Sequence, residues 1–221
     1  MKRLTVTLFA IVLLFSMSSL ASAQGLTGYG LKAGLNMATL GGDDVQDAKM
    51  KMGFAAGGFV TYSINEMFAV QPEVLYTMKG AKWEEELLGE TLKETTKYTY
   101  LEIPVLAKFT IPTQGNISPK LFVGPALGIL LSAKCDSEWG DESETDDIKD
   151  DTKSTDFGLV FGAGVDIGMP HSAITIDGRY TMGLSSIAEA QEVYNMETHE
   201  METIEPDSKN SVISFTVGYS F

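Results

Sequence analysis

The chain has 221 residues, with 16 Lys or Arg against 30 Asp or Glu, and its formal net charge is −14 at pH 7. This acidity argues against nucleic acid as a partner, because binding to phosphate requires a basic surface. The single cysteine, Cys135, excludes an intramolecular disulfide framework.

Residues 1–23 are typical of a secretory signal peptide. Two basic residues at the start are followed by a short apolar run, Leu4–Phe15, and by the small-residue cleavage site Ala21-Ser22-Ala23. A membrane anchor helix is the alternative, but the apolar run is short for a bilayer span. We therefore expect export, cleavage, and a single folded domain over residues 24–221.

Eight later segments alternate apolar residues with polar or small ones, a period of two that predicts strands with one apolar face. Each is long enough for the roughly 9–11 residues of a tilted membrane strand. Pro72 and Pro125 fall on the apolar faces and predict local bulges. The predicted strands cover 28–38, 53–64, 67–79, 96–109, 119–133, 156–168, 173–183 and 213–221.

Short and long connections between these strands alternate strictly. The short ones are 65–66, 110–118 and 169–172, and the long polar ones are 39–52, 80–95, 134–155 and 185–210. An antiparallel barrel with an even strand number has short turns on one rim and long loops on the other. The sequence therefore predicts an all-β, eight-stranded antiparallel transmembrane β-barrel, with short periplasmic turns and long extracellular loops.

A soluble barrel of the lipocalin type is the main competitor, and it would turn its large apolar residues inward around a ligand. Here the opposite faces of the strands are rich in Gly, Ser and Thr, which suit a narrow eight-strand interior. We therefore expect the apolar faces to contact the lipids of the bacterial outer membrane. Tyr62, Tyr76, Tyr98 and Tyr180 near strand ends fit an aromatic girdle, or simple packing.

The last strand, Ile213–Phe221, alternates strictly and ends on an aromatic residue. In an exported chain this ending favours an outer-membrane barrel, and we expect the barrel-assembly machinery to engage the C-terminal strand during insertion.

Four segments together resemble the PorT-like family of small outer-membrane β-barrel proteins. They read QPEVLYTMKGAK (71–82), TYLEIPVLAKF (99–109), FGLVFGAGVDI (157–167) and DGRYTMGLSSI (177–187). The resemblance implies the barrel fold. Because the family is named after a protein required for secretion, it also raises the possibility of an accessory role in an export machine.

Five charged residues fall on the polar strand faces at similar depth and form a candidate lumen network: Lys32, Glu73, Glu102, Asp177 and Arg179. Because a buried unpaired ion costs several kcal/mol, we predict that Lys32 and Arg179 pair with Glu73 and Glu102 and fill the lumen. Lys108, Lys120 and Asp166 are expected nearer the periplasmic rim. The alternative is a gated polar path for ions or protons.

Two long loops are strongly acidic. Nine acidic residues and one Lys lie between Asp136 and Asp151, and seven acidic residues lie between Glu189 and Asp207. Solvated surface loops are one interpretation, and divalent cation binding is the other. The spacing does not match an EF-hand loop. Trp139 is a candidate contact for a partner or the lipid surface, or an anchor for its loop.

The sequence predicts no catalytic, cofactor-binding or metal-binding residues, and therefore no enzyme. His171 and His199 suggest no catalytic triad, and the FGAG segment (161–164) lies within a strand, where its glycines make room for a bulky interior neighbour. We predict an envelope structural or surface-interaction protein with a possible protein partner at its acidic extracellular loops. The alternatives are an export-machine subunit and a narrow channel.

Overall fold

The structure is a computed structural model that describes residues 25–87, 90–140, 142–195 and 200–221. The predicted signal peptide and His199 lie outside the described residues. All regular elements in the described ranges are β-strands. Within them, no helix is long and apolar enough to cross a membrane.

The described residues form twelve strands in succession. They are β1 (Gly25–Gly41), β2 (Lys49–Ser63), β3 (Phe68–Lys79), β4 (Ala81–Leu87), β5 (Glu90–Thr110), β6 (Ile117–Trp139), β7 (Glu142–Asp147), β8 (Thr155–Met169), β9 (Ser172–Gly183), β10 (Gln191–Asn195), β11 (Glu200–Ile204) and β12 (Lys209–Ser220).

Eight of these strands close into an antiparallel ring in the order β1, β2, β3, β5, β6, β8, β9, β12 and back to β1. Closure runs from Gly30 opposite Ser220 to Gly41 opposite Lys209. A closed ring gives every strand two neighbours, so that its backbone groups can pair without an open edge. The predicted eight-stranded antiparallel barrel is confirmed.

The two faces of the ring differ as the period of two requires. Large apolar residues point outward, with Leu31 66% exposed and Phe215 60% exposed. Charged and polar residues point inward, with Lys32 3% exposed and Glu73 1% exposed. This is the reverse of a lipocalin, and it suits a barrel surrounded by lipid.

Two of the predicted long loops are largely strand. Residues 82–87 of β4 pair with residues 90–95 of β5, and residues 134–139 of β6 pair with residues 142–147 of β7. We call these paired residues of β4–β7 the extension, because they continue the sheet beyond the ring. The hydrophobic pattern misses the extension because its residues are mostly polar on both faces, which leaves no apolar face to reveal the period.

The predicted bulges at the prolines are wrong. The register is the same on both sides of Pro72, with Phe59 opposite Glu73 and Tyr62 opposite Val70, and Pro125 lies opposite Leu159 in an unbroken register. A proline removes its own backbone donor without adding a residue. The register instead shifts between Leu26 and Gly28 and between Thr99 and Tyr100.

Aromatic side chains also occupy the interior. Phe59 and Phe122 are buried, although the sequence pattern assigns only smaller residues to the inner face of the second strand. A Cβ atom at Gly162 would lie 2.6 Å from Phe122 Cζ, which confirms that a glycine of the FGAG segment makes room for a bulky neighbour. Tyr98 is likewise buried inside the barrel, so it does not belong to a lipid-facing girdle.

Candidate functional site

The centre of the lumen holds four interlocked charges from β1, β3 and β9, which we call the central layer. Lys32 Nζ lies 2.7 Å from Glu73 Oε1 and 3.1 Å from Asp177 Oδ2. Arg179 Nη1 lies 2.9 Å from Glu73 Oε2. All four side chains are buried, and their strands place them on the inner face at the same depth. Each charge therefore has an opposite partner, as burial requires.

A second group, the rim layer, lies on the side of the short turns. Lys108 and Lys120 share the carboxylate of Asp166 at 2.8 and 2.6 Å. Lys120 also reaches Asp177 at 2.8 Å, which joins the rim layer to the central layer. These three side chains line a cavity of about 170 Å³ together with turn residues such as Asn65.

A third group, the upper layer, lies toward the long-loop side. Lys79 Nζ lies 2.5 Å from Glu102 Oε2 and 3.2 Å from Asp156 Oδ2. Asn210 Nδ2 donates to the same Asp156 oxygen at 2.9 Å. The Lys79 ammonium also lies 5.2 Å from the centre of the Tyr100 ring.

The structure therefore brings four of the five candidate residues into one cluster and places the fifth elsewhere. Glu102 pairs with Lys79, not with Lys32 or Arg179 as predicted. The sequence gives the face on which a side chain lies, but its depth depends on how neighbouring strands are staggered. Lys79 and Asp156 are absent from the predicted network, although Lys79 falls on the polar face of its predicted strand.

Above the upper layer, apolar side chains close the long-loop end of the lumen. We call this cluster the distal cap; it consists of Leu40, Ala81, Tyr98, Tyr100, Leu130, Ala133 and Ile187. Ile187 comes from the connection after β9, and its backbone is held by Lys153 and Ser208. Trp83 packs against the cap from β4. The cap and the charged layers place buried side chains along the barrel axis.

Ion pairs at the extension are exposed or half-buried. Lys49 Nζ lies 2.8 Å from Glu84 Oε2, and this contact lowers the pKa of the Glu84 carboxyl. Lys97 bonds to Asp136 and lowers the pKa of that carboxyl in the same way. Such exposed pairs order side chains but add little stability.

Catalytic and metal-binding chemistry finds little support in the described residues. Burial raises the pKa of the Cys135 thiol, and the nearby Glu94 carboxylate acts in the same direction. A thiol held in its protonated form is a poor nucleophile. Across the described ranges, no group of three or more His, Cys, Asp or Glu side chains is arranged to hold a metal ion.

Several solved structures are similar to this chain. The chain resembles the attachment invasion locus protein Ail of Yersinia pestis, with 17% identity, a TM-score of 0.44 and coverage of 90% of this chain and 100% of Ail. Neisserial surface protein A has 16% identity, a TM-score of 0.46 and coverage of 90% and 100%. OprG from Pseudomonas aeruginosa has 11% identity, a TM-score of 0.43 and coverage of 90% and 98%. No curated protein sequence matches the chain.

The sequence profile of the family described as "Outer membrane protein beta-barrel domain" matches residues 22–189, which is most of the chain. This match agrees with the closed ring, the outward apolar faces and the polar interior. The chain belongs to the outer membrane protein beta-barrel domain family, and it is a transmembrane β-barrel of the bacterial outer membrane.

Proposed function

We propose that this protein is a closed membrane anchor that presents an acidic surface outside the cell to a basic protein partner. The observation that carries the proposal is the extension, in which strands β4–β7 project beyond the ring on the long-loop side. In outer-membrane barrels that side is extracellular. The barrel fixes the position of the extension, and the extension makes the contact.

The chemistry of the extension supports a basic partner. All six residues of β7 are exposed, and four of them are Glu or Asp. Trp139 lies next to β7 at the end of β6 and is 49% exposed. An exposed tryptophan beside carboxylates is a common arrangement at contact surfaces, since aromatic residues supply contact area and charges supply steering.

The filled lumen argues against the channel alternative. The central layer is ion-paired and buried, and the distal cap is mostly apolar, so an ion crossing the barrel would have to break ion pairs and then pass between the side chains of the cap. Both steps oppose conduction. The non-enzymatic assignment remains part of the proposal, and it is supported by the environment of Cys135.

Site-specific crosslinking in intact outer membranes tests the proposal. A photo-crosslinking residue at Trp139 should yield a discrete protein adduct, and the same residue at Asn116 in a short turn serves as the matched control. Replacing the four acids of β7 by Gln and Asn should remove the Trp139 adduct. An adduct at Asn116 alone would favour the export-machine alternative, which the PorT-like resemblance suggests and which stays a prediction.

A further inference from the structure

Two buried oxygens of the upper layer, Asp156 Oδ1 and Asn210 Oδ1, have neither a hydrogen-bond partner nor an ion-pair partner among the described residues. The hydroxyl of Tyr100, whose ring belongs to the distal cap, lies beside the Asn210 amide. The residues Tyr100, Asp156 and Asn210 are 0%, 3% and 1% exposed. A buried polar atom without a partner is destabilising, and in native proteins such atoms are few and call for an explanation. Two in one layer, beside a buried hydroxyl, point to a bound group.

These atoms belong to neighbouring side chains. Asn210 bonds to the other oxygen of Asp156 at 2.9 Å. A Cβ atom at Gly128 would lie 3.2 Å from Tyr100 Cδ1 and 3.3 Å from Asp156 Cβ. Tyr100 and Asp156 therefore pack next to each other above Gly128, which has no side chain.

The charges of this layer do not balance. Lys79 is the partner of both Glu102 and Asp156, so two carboxylates share one ammonium. Arg179 is bonded to Glu73 in the central layer. Lys51 approaches the backbone oxygen of Lys79 at 3.4 Å instead of either carboxylate.

Solvent cannot supply the missing charge as it can at the rim. In the rim layer, the side chains of Lys108 and Asp166 are 12% and 22% exposed. In the upper layer, the side chains of Lys79, Glu102 and Asp156 are 3%, 7% and 3% exposed, and the distal cap covers them. An excess negative charge sealed from water requires a counter-charge in place.

We propose that the upper layer binds one monovalent cation, Na⁺ or K⁺, through Asp156, Asn210 and Tyr100. All three atoms are oxygens, which suit hard cations and not the softer metals that prefer sulfur or imidazole. The excess of one negative charge matches a single positive charge, and a divalent ion would leave a net positive site. The cation joins the β5, β8 and β12 strands below the distal cap.

Refolding in different salts tests the site. Purified protein is refolded into detergent in NaCl, KCl or choline chloride at equal ionic strength, and the midpoint of heat unfolding is measured. Choline is too large for the buried position, so the midpoint is expected to be higher in NaCl or KCl by several degrees. Crystals grown with Tl⁺, a monovalent cation with a strong anomalous signal, should show a peak in bonding contact with Asp156.

Variants separate this site from general salt effects. Asp156→Asn removes the excess charge, so the difference between the alkali salts and choline should disappear. Asp166→Asn changes a lumen carboxylate in the rim layer and should keep the difference. If Asp156→Asn does not fold, Tyr100→Phe removes one ligand without a change in charge and should shrink the difference. Equal wild-type midpoints in all three salts, or a midpoint that follows pH and not the cation, would overturn the proposal.

Discussion

Glu73 is the residue that connects most of the central layer. Its carboxylate accepts from Lys32 at 2.7 Å, from Arg179 at 2.9 Å and from Gln71 at 2.7 Å. Desolvation makes such a cluster costly unless each charge keeps its partner. Each lumen carboxylate therefore contributes to stability according to the number of cations with which it pairs.

Replacing Glu73 by Ala leaves Lys32, Arg179 and Lys120 to share the carboxylate of Asp177, and we expect a loss of about 3–5 kcal/mol in unfolding free energy. Glu102→Ala should lower the unfolding free energy by less, because Lys79 still pairs with Asp156 at 3.2 Å. Urea unfolding of the refolded barrel, followed by tryptophan fluorescence, measures both. Glu84→Gln is the control, since its pair with Lys49 is exposed and should change stability little. Equal losses of unfolding free energy in Glu73→Ala and Glu102→Ala would contradict the separation into a central and an upper layer.

Gly162 tests the packing of aromatic residues in the lumen. A Cβ atom there would lie 2.6 Å from Phe122 Cζ and 2.4 Å from the Gly178 backbone oxygen. Gly162→Ala is therefore expected to destabilise the barrel by about 1–3 kcal/mol through overpacking. Gly115→Ala, where no atom lies within 4 Å of the added carbon, should be nearly neutral in the same unfolding assay.

At the scale of the element, the extension and the ring are stabilised by different interactions. The ring is closed and presents an apolar face to lipid, whereas the extension depends on strand pairing and on exposed charge pairs. The ladder between β5 and β6 runs from the ring, past the register shift between Thr99 and Tyr100, to Leu92 opposite Trp139. Loss of the hairpin tip should therefore leave the ring intact.

A shortened β6–β7 hairpin tests this independence. Lys134 lies opposite Asp147, so replacing residues 135–146 by Asn-Gly should close the strands with a two-residue turn. We expect the variant to reach the outer membrane and to keep the unfolding midpoint of the parent. It should lose the crosslink expected at the extension. Failure of the ring to fold would show that the extension is required for assembly.

Acid should loosen the extension before the ring. The pKa of Asp136 is lowered by Lys97 and that of Glu84 by Lys49, so each carboxylate stabilises the folded form at pH values above its ordinary pKa of about 4. This contribution is lost as the pH falls through the lowered values. Hydrogen exchange at decreasing pH should show β4 and β7 losing protection first. Because each such pair adds little stability, Asp136→Asn should reproduce only a small part of that loss near pH 7.

At the scale of the whole molecule, the proposed function is that of a closed anchor in the membrane. Rim, central and upper layers succeed one another along the axis, and the distal cap ends the series. The net charge of −14 is carried mainly by the long-loop side, where the acidic segments lie. In the proposed function, the lumen supplies stability and the extension supplies contact.

Two measurements on the whole protein check this arrangement. Unboiled protein from outer-membrane fractions should migrate differently from boiled protein, because a closed barrel resists detergent. In planar bilayers the same protein should show no reproducible single-channel conductance. Conductance that changes in Glu73→Gln would instead assign a path through the central layer.

The sequence by itself determined the architecture, because lipid outside and a polar interior impose a period of two on every strand of the ring. That period predicts the segments 28–38 and 213–221 and places Lys32, Glu73 and Arg179 on inner faces. Only the tertiary structure decided which charges meet. Lys32 and Asp177 are separated by 145 positions, and Glu102 pairs with Lys79 because strand stagger, not strand face, sets depth in a barrel. The extension is likewise a tertiary result: its residues are mostly polar on both faces, and only pairing with neighbouring strands makes it a sheet.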